Sequence, residues 1–422
     1  MIDLRAARND PDAYRKALAR KGAAEPFDRL LEADAEWRAV QQRVDDLRAQ
    51  TKLKGKPTPE QLEQLTRIKE ELQPLEGELA EAWQRVQDLL DRVPNPPAED
   101  TPDGFDEEDA VTVGRWGEPP SFDFEPRDHL DLAQAHGWID AERAAKVSGS
   151  RFVYRVGDLA LVELALYRWA LDRVTQKGHV PMLPPVLVRD QAMYGTGFFP
   201  SEKGDFYAVP EDELYLAGTS EVALAGFHME EELDSLPLRY AAFSTCFRRE
   251  AGAAGRDTRG MFRVHQFEKV EMFVFCEPER SRDEHERLLA IEEELVQELE
   301  VPYRVVNIAA GELGGSAAKK YDIEAWFPGQ SRYREVTSTS NTTDYQARRL
   351  NIRFRREKKL EFVHTLNGTA VTARAMIAIL ENFQDSDGSV SVPGVLTEFG
   401  ALDSPPAWKP QATFALVITS RS

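Results

Sequence analysis

Cysteine, positive charge and long apolar runs are what this 422-residue chain lacks. Two cysteines, Cys246 and Cys276, are too few for a disulfide framework or a thiolate zinc site. The N-terminal stretch MIDLRAARNDPDAYRKAL has no apolar h-region, so secretion is not expected and a reduced cytoplasmic setting is. No apolar stretch approaches the roughly 20 residues that span a bilayer, so no membrane role is expected. A formal net charge of −20 argues against a protein that coats nucleic acid indiscriminately, yet it permits a local basic patch. Neither GxGxxG nor GxxxxGK followed by Ser or Thr falls between a strand and a helix, and no βαβ rhythm is present. A doubly wound parallel sheet is thereby disfavoured, and the irregular mixture of helices and alternating strands predicts an α+β fold with a largely antiparallel sheet.

What is present begins with a heptad repeat. Leu65, Leu72, Leu79, Val86 and Val93 recur every seven residues, with Ile68, Leu75, Ala82 and Leu89 interleaved at spacings of three and four. Trp37, Val40, Val44 and Leu47 carry the same spacing upstream. Between the two segments, TKLKGKPTPEQ holds Gly55, Pro57 and Pro59, which stop one helix, and Thr58, which can cap the next. The pattern predicts an antiparallel helical hairpin, with Pro74 and Gly77 expected to kink its second helix. Such a hairpin serves either as a dimerisation coiled coil or as an arm. From 37 to 57, Arg38, Arg43, Arg48, Lys52, Lys54 and Lys56 face only Asp45 and Asp46, as suits an arm that touches phosphates. The proline-rich RVPNPPAEDTPDG at 92–104 marks a boundary, giving a hairpin domain at 1–100 and a second domain at 101–422.

CFRREAGAAGRDTRGMFRVHQFEKVEMF at 246–273 gathers five arginines and three glycines between two alternating segments, LRYAAFSTCFRRE and FRVHQFEKVEMFVF. Alternation with period two puts Arg248 and Glu250 on one face of the first segment. It puts Arg263, Phe267 and Glu271 on one face of the second, with His265 and Lys269 between them. Arginines can grip phosphates in bidentate fashion, a ring can stack on a base, and a carboxylate can read an amino group. The residues alone leave a solvated basic turn open, and they make His265 a hydrogen-bonded structural residue and Cys246 a small buried filler.

FRREAGAAGRDTRGMFRVHQFEKVE resembles the second signature motif of class II aminoacyl-tRNA synthetases, in the form carried by the seryl-tRNA synthetase family. TLNGTAVTARAMIAILENFQ resembles the third motif, and TQKGHVPMLPPVLVRD the first, with Pro184 at the bend expected of the dimer interface. YLAGTSEVAL resembles the family's serine-binding loop, YREVTSTSNTTDYQARRLNIRFRRE its metal and ATP strand, and the hairpin its tRNA-binding arm.

The resemblance implies a ligase that activates L-serine with ATP and Mg²⁺ and transfers it to tRNA(Ser), and to tRNA(Sec), as a homodimer. It assigns catalytic roles to Arg248, Arg263 and Arg374. Arg248 would bridge the α-phosphate and the serine carboxylate, Glu250 would read the adenine amino group, and Phe267 would stack on adenine. Arg263 would hold the γ-phosphate, the Val264 backbone would lie against the nucleotide, and Arg374 would complete the clamp from a helix N-terminus. Arg249, Val336 and Thr337 fall within the implied ATP-binding stretches, and Glu335 and Ser338 would bind Mg²⁺. Their spacing of three is awkward for one strand face and requires a bulge or turn. Thr219 and Glu221, with Ser220 between them, would receive the serine ammonium. Glu271 and Thr369 would bind the serine hydroxyl, with Asn367 in support. Arg256 and Arg259 are left to a solvated turn or, alternatively, to the acceptor end of tRNA.

Two departures stand out. NGTAVTAR is one residue shorter than the family pattern between the hydroxyl-binding residue and the arginine, and Arg249 replaces a small polar residue. A relative that transfers its amino acid elsewhere, and a non-catalytic tRNA-binding module using the arm alone, are the competing readings. The intact set of Arg248, Arg263 and Arg374 speaks against the second.

Overall fold

The protein is described by a computed structural model covering residues 1–52, 58–250 and 260–407. Lys54, Gly55, Lys56, Pro57, Gly252, Gly255, Arg256 and Arg259, to which the sequence assigns roles, lie outside the described residues.

Helices α3 (Ala24–Gln50) and α4 (Pro59–Leu90) form the hairpin. Thr58 caps α4 in a reciprocal capping box, its side chain accepting from Gln61 N–H while the Gln61 side chain accepts from Thr58 N–H. Replacing Thr58 with alanine is expected to cost the first turn about 1 kcal/mol, read as faster amide hydrogen exchange at Gln61 and Leu62. Pro74 does not end the helix, which runs on as one element to Leu90. Pro74 and Glu70, whose carbonyl the proline leaves without its helical partner, both face solvent, and water can satisfy that carbonyl.

Ile68, Leu75, Ala82 and Val86 of the heptad are buried, as are Val40 and Val44 of α3. At the base, Leu90 rather than the expected Leu89 is buried, as follows when a 3.6-residue helix drifts against a seven-residue repeat. Two short helices that the heptad gave no sign of, α1 (Leu4–Asn9) and α2 (Pro11–Ala19), pack on this base. Ile2, Ala7, Leu18, Phe27, Leu30, Val86, Leu90 and Val93 make a core of their own there. Along the arm, the arginines that looked free in sequence meet acids, with Arg48 2.7 Å from Glu76 and Arg43 3.9 Å from Glu78 of α4, and Arg38 2.9 Å from Asp34 of α3 itself.

The rest of the chain is built on an eight-stranded sheet. Its strands are β1 (Val111–Trp116), β2 (Val180–Met182), β3 (Leu238–Phe247), β4 (Gln266–Cys276), β5 (Tyr303–Asn307), β6 (Lys319–Phe327), β7 (Arg332–Thr343) and β8 (His364–Thr372). The spatial order is β1-β5-β6-β7-β8-β4-β3-β2, antiparallel throughout except that edge strand β2 runs parallel to β3. Helices α5 (Asp158–Gln176) and α7 (Ser281–Glu298) cover one face. Short helices α6 (Glu221–Gly226) and α8 (Tyr345–Leu350) pack near the other, and α9 (Ala373–Asn382) follows β8.

Strand β4 shows how the sequence divides these faces. Val270, Met272, Val274 and Cys276 point into the large core with α5 and α7, whereas Phe273 and Phe275 point into a second core with Leu224, Ala225 and Leu350. Further along that second face come Glu271, Lys269 and Phe267. The same alternation that builds a core at one end of the strand opens a polar surface at the other.

Candidate active site

At the open end of β3 and β4 lie two adjoining cavities of about 420 Å³ and 120 Å³. Arg248, Glu250, Arg263, Glu335 and Arg374 line both. Thr219 lines the first, and Val264, Phe267, Lys269, Val336, Thr337, Ser338 and Thr369 line the second.

Strand β3 ends at Phe247 and β4 begins at Gln266, so Arg248, Glu250 and Arg263 are not strand residues as alternation assumed. The hairpin is nevertheless extended beyond the strands. Arg248 N–H donates to the His265 carbonyl at 3.0 Å, and His265 Nδ1–H donates back to the Arg248 carbonyl at 2.8 Å. His265 is thus the structural residue expected. Glu250 takes a left-handed turn at φ 53°, and its carboxylate accepts from Arg263 Nη1 at 2.6 Å. The Arg248 guanidinium stands 5.3 Å over the Phe267 ring, and its Nε–H donates to the Gly218 carbonyl at 3.1 Å. Arg249 points elsewhere, its guanidinium over Tyr207 at 5.6 Å. Cys246 is fully buried, the filler anticipated.

Strand β7 carries the bulge that the spacing of Glu335 and Ser338 demanded. Glu335 pairs with Glu324 and Thr337 with Ile323, so Val336 is the extra residue and Ser338 falls opposite Asp322. The bulge restores Glu335 and Ser338 to one face. Thr337 turns the other way and donates to buried Glu292 of α7 at 2.9 Å. Arg374 reaches back from the first turn of α9, where Thr372 caps the helix, to Glu335 Oε2 at 3.0 Å and the Glu335 carbonyl at 3.1 Å. Desolvation would raise the Glu335 carboxyl, but the Arg374 guanidinium and the Lys320 ammonium outweigh it and hold the group ionised, well below the usual range.

Beside these cavities lies a buried anionic cluster, Glu221 and Glu271. Glu221, first residue of α6, is buried, and its Oε1 accepts from Gln346 Nε2 at 2.7 Å and from Asn367 Nδ2 at 2.9 Å. Gln346 is fixed in turn by Thr365, which donates to its Oε1 at 2.9 Å. Burial first, and the Glu271 carboxylate second, push the Glu221 carboxyl up to about 7. Thr369 Oγ1–H donates to Glu271 Oε2 at 3.3 Å. Strand β8 carries a bulge here, where Val371 pairs with Val270 and Thr369 with Glu271, leaving Ala370 between them. Ser220 is buried at the N-cap of α6, between Thr219 and Glu221.

Lys269, Gln346 and Asp322 belong to this site and were not singled out from sequence. Period two did place Lys269 on the active face between Phe267 and Glu271, which was the available signal. Gln346 and Asp322 lie far away in sequence, and nothing local marks them.

A class II tRNA synthetase core domain (G, H, P, S and T) matches residues 207–383, and a seryl-tRNA synthetase N-terminal domain matches residues 1–97. The serine–tRNA ligase of Thermobifida fusca is 51% identical over 96% of this chain and 98% of its own. The chain belongs to the seryl-tRNA synthetases. The ligase of Nocardia farcinica is 49% identical over 96% of this chain and all of its own. Among solved structures, the seryl-tRNA synthetase from Pyrococcus horikoshii complexed with ATP superposes with a TM-score of 0.92 at 42% identity, covering 97% of this chain and 100% of that one. The chain is accordingly a serine–tRNA ligase of the class II fold with a helical N-terminal part. No helix among the described residues is long and apolar enough to cross a membrane.

For this synthetase the raised Glu221 carboxyl makes a pH prediction. An acid raised to about 7 is protonated below that pH and cannot accept an ammonium as an anion. The kcat/KM for serine should climb about tenfold per pH unit below pH 7 and level off above it. Glu221→Gln should lose that acid limb along with most activity. A flat profile from pH 5.5 to 8 in the parent would count against this role for Glu221.

Proposed function

We propose that the two cavities hold ATP and L-serine in the arrangement that makes seryl-adenylate. The carrying observation is the convergence of Arg248, Arg263 and Arg374 on one cavity beside the buried carboxylates Glu221 and Glu271. Three guanidiniums suit a triphosphate, and the Phe267 face suits a base. Glu250, fixed by Arg263, lies within reach of an exocyclic amino group. Glu221 takes the amino-acid ammonium, while Glu271 and Thr369 take its hydroxyl. Arg249, over Tyr207, stands outside this arrangement.

A serine carboxylate oxygen attacks the α-phosphorus in line, and the bond to the pyrophosphate oxygen breaks. A terminal ribose hydroxyl of tRNA(Ser) then attacks the adenylate carbonyl and AMP departs with the bonding pair. Arg248, between the Phe267 ring and the serine pocket, is placed to hold both the α-phosphate and the attacking carboxylate. Catalysis rests on positioning and on neutralising charge, without a protein nucleophile.

Mg²⁺ fits Glu335 and Ser338, two hard oxygen donors on one face with the carboxylate ionised. Among the described residues no group of three or more His, Cys, Asp or Glu side chains could hold a metal, so phosphate oxygens would complete the shell. The ion would supply charge neutralisation at the phosphates.

We assign residues 1–100 to tRNA binding and 101–422 to catalysis. The homodimer forms through β2 and α5. Leu183 is 81% exposed beside exposed Val180, Leu187, Leu161 and Leu164, an apolar strip that suits an interface. Charging of total tRNA with labelled serine tests the function. Serine on tRNA from a dimer by light scattering is expected, and adenylate formation without transfer would instead favour a relative that delivers serine elsewhere.

A further inference from the structure

We infer that Lys269 is a positioning residue that fixes the direction of the hydrogen bonds in the serine pocket. Its side chain is only 8% exposed, and a buried ammonium persists only where it is paired and hydrogen-bonded. It has both kinds of partner. Nζ is ion-paired with Glu271 Oε2, and it donates to Thr219 Oγ1 at 2.8 Å. Lys269 therefore ties the hydroxyl-binding carboxylate on β4 to the loop that precedes α6.

The consequence lies in the hydroxyl of Thr219. A threonine oxygen has two acceptor positions and one proton to give. Lys269 Nζ takes one position, and the backbone N–H of Glu221, at 3.3 Å, takes the other. Thr219 is left able only to donate from its side chain. That hydroxyl is thereby suited to donate to a carboxylate oxygen rather than to receive the substrate ammonium, a contact the family resemblance implied for this residue. The ammonium falls to Glu221, whose Oε1 is taken by Gln346 and Asn367 and whose Oε2 is left for it. Glu271 is sorted in the same way. Its Oε2 is held by Lys269 and Thr369, which directs Oε1 toward a donor such as the serine hydroxyl. One buried cation thus makes Thr219 a donor and Glu271 an acceptor.

This inference rests on the serine-pocket reading above, and the test separates the two. Full-length parent, Lys269→Met, Lys269→Arg and Glu271→Ala are compared in ATP–pyrophosphate exchange with serine and with alanine, varying amino acid and ATP separately. Lys269→Met should raise KM for serine about 10²-fold, as expected when binding groups lose their alignment. KM for ATP should stay within about threefold, which also reports an intact fold. The preference for serine over alanine should fall by about tenfold or more. Lys269→Arg, keeping the cation, should retain most of that preference. An unchanged preference in Lys269→Met, or equal losses toward serine and ATP, would overturn the inference. If Lys269→Met does not fold, Lys269→Arg decides. A preference within about fivefold of the parent supports the role, and a full collapse overturns it. If Glu271→Ala leaves the preference intact in an enzyme that activates serine, the pocket reading itself fails. If Glu271→Ala collapses it and Lys269→Met does not, only the role of Lys269 is lost.

Discussion

Arg248→Ala is expected to lower serine-dependent ATP–pyrophosphate exchange by about 10³-fold while leaving tRNA binding measurable. The size follows from position. Arg248 lines both cavities and lies over Phe267, so it is placed to meet the α-phosphate and the serine carboxylate together. Charge developing at the α-phosphorus is what such a group stabilises, and removing one preorganised donor typically costs 10²- to 10³-fold, about 3 to 4 kcal/mol. Arg248→Lys keeps the charge but loses the planar fork, and should recover only a small part. tRNA binding survives because the arm is a separate helical unit with its own buried core. Exchange within tenfold of the parent would remove Arg248 from the reaction.

Shortening the arm has the opposite effect. Deleting residues 41–79 and closing the gap with a short glycine-serine link should leave exchange within about twofold and reduce charging about 10²-fold, if the arm supplies about 3 kcal/mol of tRNA affinity. Where to cut is decided by the core at the base. Phe27, Leu30, Val86, Leu90 and Val93 are buried there with Ile2 and Leu18, so removing the whole of 30–93 would empty that core and confound the result. Cutting above Trp37 and Trp83, whose rings lie 4.8 Å apart, keeps it filled. Because Arg43 and Arg48 already meet acids of α4, tRNA contact by these arginines must exchange those exposed pairs for phosphates. Added salt should therefore narrow the difference between parent and shortened enzyme. Undiminished charging by the shortened enzyme would refute tRNA binding by the arm.

Features with local causes were legible in the sequence. The heptad gave both long helices, Thr58 gave the cap, and alternation along β4 gave the face bearing Phe267, Lys269 and Glu271. For Glu335 and Ser338 to share a strand face, their three-residue spacing required a bulge or turn, and a bulge lies at Val336. Features set by distant packing were not legible. Pro74 reads as a kink in the second helix, and its outward position on the arm is not visible in the sequence. Gln346 reaches Glu221 only because α8 packs beside α6, and Asp322 meets Ser338 only through pairing of β6 with β7. The donor role inferred above for the Thr219 hydroxyl has the same kind of cause. Its hydroxyl reads as an acceptor until the two donors that fill it, Lys269 and the Glu221 N–H, are seen together.

The most direct test is pyrophosphate exchange by the unmodified protein with ATP, Mg²⁺ and each of the twenty amino acids in turn. Serine alone should drive exchange, with alanine and threonine lower by about 10²-fold or more. Exchange driven by another amino acid, or by none, would contradict the account of the paired cavities.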